Sequence, residues 1–292
     1  RDLLRWAVSR FEAAGLAYGH GTDNAWDEAV SLLLFALHLP PDRLEPHLDA
    51  RLTRGEREAA VALLERRVAT RRPAPYLTGE AWLRGLRFLC DKRALVPRSP
   101  IAEALDEALP DWLALHRPQA WAPQTVLDLC TGGGSLAIVA AHVFPQARVV
   151  GADLSADALA LAAANAALHG VEDRIEWVRS DLYSALGARR FDLIVCNPPY
   201  VNEASMRALP AEFRAEPYAA LAGGADGMDL VRPIVMGARA HLEPGGLLLL
   251  EIGHEAIHFE AAFPALEFHY LPVAAGDRLL VLVEEAALPA PR

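Results

Sequence analysis

The 292-residue chain reads as an α/β protein, a doubly wound and mostly parallel sheet preceded by a small helical region. Three observations give that class. From Ile101 onward, short apolar runs alternate with segments of helical period, the pattern of strands joined by crossover helices. Of two such runs, Thr125–Leu129 and 193–196, the second lacks the polar alternation of a half-exposed strand, as strands covered on both faces do. Each run ends in an abrupt turn, Cys130-Thr-Gly-Gly-Gly134 after the first and Asn197-Pro-Pro-Tyr200 after the second.

The amino-terminal part is helical. Leu3, Leu4, Ala7, Val8 and Phe11 recur at helical spacing over 2–14, and a second helix over 24–37 is closed by Pro40-Pro41. Thr53 with Glu56 three residues on is a capping-box pattern that opens a third helix to about residue 71. Pro73-Ala-Pro75-Tyr76 breaks it, and 78–82 with 86–90 around Arg84-Gly85 predict a hairpin. The spacing divides the chain into a helical region 1–73, a hairpin connector 74–100 and a large domain 101–292.

In the large domain the expected order is helix 101–115, strand Thr125–Leu129, helix Ser135–Val143, strand 148–152 and helix 155–169, with Ser155 as its cap and Gly170 as its stop. Strands 175–178 and 193–196, helix 229–241 and strand 246–252 follow. Segments 266–271 and 279–283 around Ala274-Ala-Gly-Asp277 add an antiparallel edge hairpin, which brings the sheet to seven strands. Trp82, Trp112 and Trp121 read as core or interdomain packing.

Composition narrows the function. The chain is 53% hydrophobic with a formal charge of −10, and no apolar run of about 18 residues suggests a membrane span. No secretory signal is read. Cys90, Cys130 and Cys196 have neither metal nor CxxC spacing, which fits reduced thiols in a cytoplasm. His254 and His258 lie four apart without a third ligand, so no metal site is expected. Residues 51–100 hold 12 Lys+Arg against 5 Asp+Glu, whereas 101–292 hold 12 against 25. The basic stretch from Arg51 to Arg98 is either a solvated helix face or a surface meeting nucleic acid, and the acidic large domain suits a basic protein partner.

The first turn is a cofactor site. Gly132 and Gly134 remove side chains from a backbone that must approach a ligand, and Asp153, nineteen residues past Gly134, can accept from two ribose hydroxyls. Gly132, Gly134 and Ala137 also satisfy a relaxed dinucleotide fingerprint, which leaves a nicotinamide enzyme open. Two acids favour S-adenosylmethionine. Asp128, just before the turn, suits a ligand's ammonium or sulfonium end and offers nothing to a pyrophosphate. Asp181, in Ser180-Asp-Leu182, can accept from an adenine amino group. The second turn, Asn197-Pro198-Pro199-Tyr200, is stiffened by two prolines and carries an amide and an aromatic ring, which suits a flat polar nitrogen group.

Asp128–Gly134, Asp153, Asp181 and Asn197–Tyr200 together resemble the motifs of class I methyltransferases acting on amide or exocyclic amino nitrogens. The chain is most similar to the protein N(5)-glutamine methyltransferases, from about Pro75 to Glu284 and more loosely in the helical part. Leu95-Val-Pro-Arg-Ser-Pro-Ile-Ala-Glu103 resembles the branch acting on ribosomal protein L three, where the release-factor branch usually has Pro-Arg-Pro-Asp-Thr-Glu. Phe213-Arg-Ala-Glu-Pro217 and Gly223-Gly-Ala-Asp-Gly-Met-Asp-Leu230 resemble the same group. The chain departs from the branch at Gly133, commonly Ser, and at Ala215, commonly His.

The resemblance implies a Rossmann-like S-adenosylmethionine-dependent fold, S-adenosylhomocysteine as product, and a substrate-recognition role for residues 1–73. It also implies cofactor contacts at Asp128, Cys130, Thr131, Gly132, Gly134, Asp153, Asp181, Leu182 and Asn197. The chemistry agrees with it. A glutamine amide nitrogen is a poor nucleophile because its lone pair is delocalised, so positioning must carry the rate. Asn197 Oδ1 and the Pro198 carbonyl can accept its two hydrogens, with Tyr200 against the amide plane and Pro199 and Arg98 as further substrate contacts. Glu251 stands near the same site. The other readings are a release-factor glutamine methyltransferase, an amino-group DNA or RNA methyltransferase, and a noncatalytic ribosome-assembly binder.

Overall fold

The computed structural model describes residues 1–41, 43–117 and 121–290. Three helices, α1 (Asp2–Ala13), α2 (Ala25–Ala36) and α3 (Arg54–Thr70), open the chain. The capping box of α3 is present: the Thr53 side chain accepts from the Glu56 amide and Glu56 returns to the Thr53 amide at 2.7 Å. The helix α3 stops at Thr70, ahead of the proline segment as expected, and that segment then opens a short helix of its own, α4 (Ala74–Thr78). Prolines at the cap and in the first turn remove no intrahelical bond there. The hairpin therefore starts later than expected, as β1 (Glu80–Leu83) and β2 (Leu86–Leu89). Arg84 and Gly85 both have positive φ, the backbone of a two-residue turn that matches strand twist.

The helix expected over 101–115 is two, α5 (Ile101–Asp106) and α6 (Ala108–His116). Pro110 supplies the reason, because its ring clashes with the carbonyl four residues earlier, at Asp106. Then come β3 (Thr125–Leu129), α7 (Ser135–Val143), β4 (Arg148–Asp153), α8 (Ala156–His169), β5 (Ile175–Arg179), β6 (Phe191–Cys196), α9 (Glu203–Ala208), α10 (Val231–Ala238), β7 (Leu242–Glu251), α11 (Ala256–Ala262), β8 (His269–Tyr270) and β9 (Leu280–Glu284). Helices α9 and α11 were not legible as separate elements. The helix expected over 229–241 ends in a 3-10 turn, Arg239–His241. β7 starts at Leu242, four residues early, with a register shift opposite it between Phe191 and Leu193. The edge strand β8 pairs over two residues only.

The strand order is β5-β4-β3-β6-β7-β9-β8. The first five strands run parallel, and β9 pairs antiparallel with both β7 and β8. The order reverses between β3 and β6, which opens a crevice at their carboxyl ends. Leu193, Ile194, Val195 and Cys196 are all fully buried because apolar layers cover both faces of the sheet. The amino-terminal helices close a separate apolar cluster around Leu4, Phe11, Leu32 and Leu64. Trp112 is buried and Trp121 partly so, but Trp82 is 44% exposed, because it stands on the outer face of the small hairpin.

Arg67 is wholly buried. It donates to Glu28 Oε1 at 2.7 Å, to the Ala17 carbonyl at 3.0 Å and to Glu212 Oε1 at 3.4 Å. Arg71 reaches the same Glu212 and the carbonyls of Ala14 and Gly15. Arg54, Arg84, Arg87, Arg93 and Arg98 also pair with carboxylates. Seven of the twelve basic side chains between Arg51 and Arg98 thus meet carboxylates, while the start of α3, with Arg54 and Arg57, stands exposed as a solvated face does. Truncating Arg67 leaves Glu28 and Glu212 buried without a cation, so Arg67→Leu is expected to lower unfolding stability by about 3–5 kcal/mol in urea melts. Arg54→Ala, at an exposed ion pair, is expected to stay within about 0.5 kcal/mol.

Candidate active site

A cavity of about 330 Å³ lies over the carboxyl ends of β3, β4 and β6 and the loop after β5. Cys130, Thr131, Gly132, Asp153, Asp181, Leu182, Asn197, Pro199 and Arg98 line it. Asp128, Gly134, Pro198 and Tyr200 do not, although all four lie within two residues of a lining residue.

The turn after β3 is held by carboxylates. The Gly132 amide donates to Asp153 Oδ2 at 2.8 Å and the Ser155 amide to Oδ1 at 2.8 Å. Asp153 therefore fastens one strand end to the next while facing the cavity. Asp128, fully buried, accepts at Oδ2 from the Thr131 hydroxyl at 2.5 Å and from the Ala137 amide at 2.9 Å. Its Oδ1 has no partner among the described residues. Burial lifts this carboxyl to about 7, against both hydrogen bonds, and the Asp153 charge adds to the lift. A buried carboxylate oxygen left without a donor is costly, and it suits a ligand that brings positive charge to this turn.

The glycines have separate reasons. A Cβ on Gly132 would stand 3.8 Å from its nearest neighbour, the Ala94 side chain, so this position, with φ +54, is open toward the cavity. A Cβ on Gly134 would meet Trp177 at 2.7 Å and Ala162 at 2.8 Å. Gly134 thus has a packing reason between helix and sheet, where no side chain fits. A Cβ on Gly133 would make ordinary contacts of 3.4 Å and more, so the departure from Ser costs no fit. Cys130 and Leu182 are left-handed without being glycines, at φ +62 and +46, and both line the cavity. Such strain gathers where a site fixes the backbone.

The proline turn presents Asn197, whose side chain makes no hydrogen bond to any other described residue. Tyr200 is fixed from every side. Its hydroxyl donates to Glu251 Oε1 at 2.7 Å, and Ser99 donates to Glu251 Oε2 at 2.5 Å. Burial holds Glu251 above the ordinary carboxylate range, against those two hydrogen bonds. A Cβ on Gly253 would lie 2.3 Å from the Tyr200 ring, and one on Gly223 or Gly227 would strike the Tyr200 backbone at 2.7 or 2.2 Å. The 223–227 loop is glycine-rich because it packs on this tyrosine.

Sequence reasoning missed the roof. Pro217, Ala219 and Ala220 line the cavity from above, and Glu216 ties that segment down. Glu216 Oε1 accepts from the Val96 amide at 3.0 Å, and Oε2 from Arg98 at 2.6 Å, with His20 Nε2 3.3 Å away. Despite burial, the His20 hydrogen bond and the Arg98 charge hold Glu216 below its usual range. Arg98 is thus engaged with protein groups at the cavity wall. Glu216 lies in the 213–217 motif and Ser99 in the 95–103 motif, so only resemblance could have pointed to them.

Comparison with known proteins agrees with this geometry. Residues 110–256 match the methyltransferase small domain family, and residues 2–79 match the PrmC N-terminal domain. A ribosomal protein uL3 glutamine methyltransferase of Bordetella pertussis is 56% identical over 98% of this chain and 95% of its own length. Those of Burkholderia pseudomallei and Neisseria gonorrhoeae are 52% and 46% identical, each over 99% of this chain and 95% of their own length. Among solved structures, the hMettl16 catalytic domain in complex with MAT2A 3'UTR hairpin 1 superposes with a TM-score of 0.52 at 12% identity. It covers 80% of this chain and 82% of its own, a likeness of fold. With identity of this order running from end to end, the chain belongs to the ribosomal protein uL3 glutamine methyltransferase family.

Proposed function

We propose that this chain methylates the side-chain amide nitrogen of a glutamine in ribosomal protein uL3, using S-adenosylmethionine and acting in the cytoplasm. The observation that carries the reading is the free amide of Asn197, on a proline-stiffened turn at the wall of a cavity that adjoins a buried carboxyl oxygen of Asp128 without a hydrogen-bond partner among the described residues. Full-length likeness to uL3 glutamine methyltransferases supports the substrate.

S-adenosylmethionine fits the residues present. Gly132 leaves its backbone open, the Asp128 Oδ1 lacks a donor, and Asp153 and Asp181 offer carboxylates to hydroxyl and amino groups. Thr131, Cys130 and Leu182 shape the wall. When bound, the cofactor supplies an electrophilic methyl group on a sulfonium. Everything else falls to the chain. Asn197 Oδ1 and the Pro198 carbonyl accept the two amide hydrogens, which fixes the nitrogen and stabilises the charge that grows on it. Tyr200, held by Glu251, closes the amide plane against water, with Pro199 beside it. No strong base is needed, since the nitrogen becomes acidic as it gains its fourth bond and its proton leaves to water.

The test offers labelled S-adenosylmethionine with unmodified uL3, release factor and DNA side by side. Label is expected on uL3 alone, mapping to one glutamine. Label on release factor moves the substrate to the sister branch, and label on DNA alone overturns the protein reading.

For Asn197→Ala, kcat is expected to drop about a hundredfold or more while cofactor Kd shifts less than about threefold. Equal losses in both would end the acceptor role. Glu251 accepts from both Ser99 and Tyr200 only as a carboxylate. As pH falls through its raised pKa, Glu251 takes a proton and gives up one of those bonds, so kcat is expected to show an acid limb above the ordinary carboxylate range. Glu251→Gln is expected to lose about ten- to a hundredfold in kcat and to abolish that limb.

A further inference from the structure

A second cavity, of about 300 Å³, lies between the amino-terminal helices and the β1–β2 hairpin. It shares one wall residue, Pro97, with the cavity that holds Asn197. Its chemistry differs from the first. His20, Thr22, Asp27, Thr78, Glu80 and Trp82 line it, and no Lys or Arg does among the described residues. The Glu80 carboxylate is shared with Arg87 at 3.1 Å. Asp27 has no ion-pair partner among the described residues and meets only the Asn24 side chain and its own amide's cap.

His20 supplies an independent sign of a ligand. It is 2% exposed, and its Nδ1 is buried with no hydrogen-bond partner among the described residues. Nε2 faces the Glu216 carboxylate, so Nε2 carries the proton and Nδ1 is a bare acceptor. Burial keeps the ring neutral, against the pull of Glu216. The cavity therefore offers an unanswered carboxylate and a half-exposed indole beside a neutral buried imidazole, a set that favours a donor-rich cation.

We propose that this second cavity binds an arginine or lysine side chain of the protein substrate, on the segment flanking the glutamine that enters the catalytic cavity. The inference rests on the methyltransferase reading for the identity of the partner, and the shared Pro97 wall sets the two subsites side by side. Charge complementarity selects the occupant. A protein that lives on RNA is rich in Lys and Arg, and among its described lining residues this cavity has two carboxylates, of which Asp27 is free of any ion pair, and no Lys or Arg. An aromatic wall with acceptors at its rim favours the planar guanidinium over the ammonium. The first cavity then supplies the chemistry and the second contributes part of the choice of substrate.

The test uses the whole chain and two readouts. N-acetyl-arginine amide is titrated while the Trp82 indole N–H is followed by NMR, the signal being assigned by its loss in Trp82→Ala. A saturable shift is expected with wild type, a much weaker one with the neutral citrulline analogue, and a much weaker one in Asp27→Asn. In parallel, KM for unmodified uL3 is expected to rise about five- to tenfold in Asp27→Asn and Trp82→Ala with cofactor Kd held, and its salt dependence to flatten in Asp27→Asn. An arginine response no stronger than that to citrulline, or a KM unmoved by both substitutions, overturns the proposal. Wild type that binds the arginine amide yet leaves uL3 unlabelled overturns the substrate reading instead and upholds the cation site.

Discussion

Two buried carboxylates, Glu212 and Glu216, hold together parts of the chain that lie far apart in sequence. Glu212 takes the Ala17 amide with Arg67 and Arg71, and Glu216 takes the Val96 amide with Arg98 and His20. Burying a charge is tolerable only when its partners are complete, so each of these segments has one admissible position. The roof of the catalytic cavity hangs directly from this junction, since Pro217 follows Glu216. The depth of the cavity, the placement of Arg98 and the separation of the two cavities all follow from it.

Rigidity is the second theme, and it has a chemical purpose. An amide nitrogen has little nucleophilicity to offer, so a catalyst gains most by removing motion. Two prolines stiffen the acceptor turn, three glycines let neighbouring backbone close around Tyr200, and a buried carboxylate holds its hydroxyl. Non-glycine residues in left-handed backbone flank the cavity on both sides. The strain lies where the ligand is expected and is borne by well-packed strands beneath.

Much of this could be read from the chain because it is local. Thr53 with Glu56 and Arg84-Gly85 each state their structure within four residues, Ser155 and Gly170 each mark one end of α8, and uniformly apolar runs announce covered strands. The prolines were harder to read. Pro73 and Pro75 follow the end of one helix and also start another, and Pro110 splits one that periodicity runs together, because the outcome turns on a single position within the turn. The burial of Arg67 was hidden for a different reason. Arg67 is answered by Glu28 and Glu212, the latter 145 positions away, and no window of sequence contains that pairing. The same holds for Gly134, whose constraint is the Trp177 ring, and for the acceptors gathered around His20.

The junction also decides how the molecule opens. The Ala17 and Val96 amides give their hydrogens to the two carboxylates, so neither can exchange with solvent until a buried charge is rehydrated. Freeing one strips partners from arginines that also hold other segments, which raises the cost of partial opening. The amino-terminal helices and the cavity roof thus form one cooperative unit in the sense of native-state exchange, and a protein bound to the helices would steady the roof without touching it.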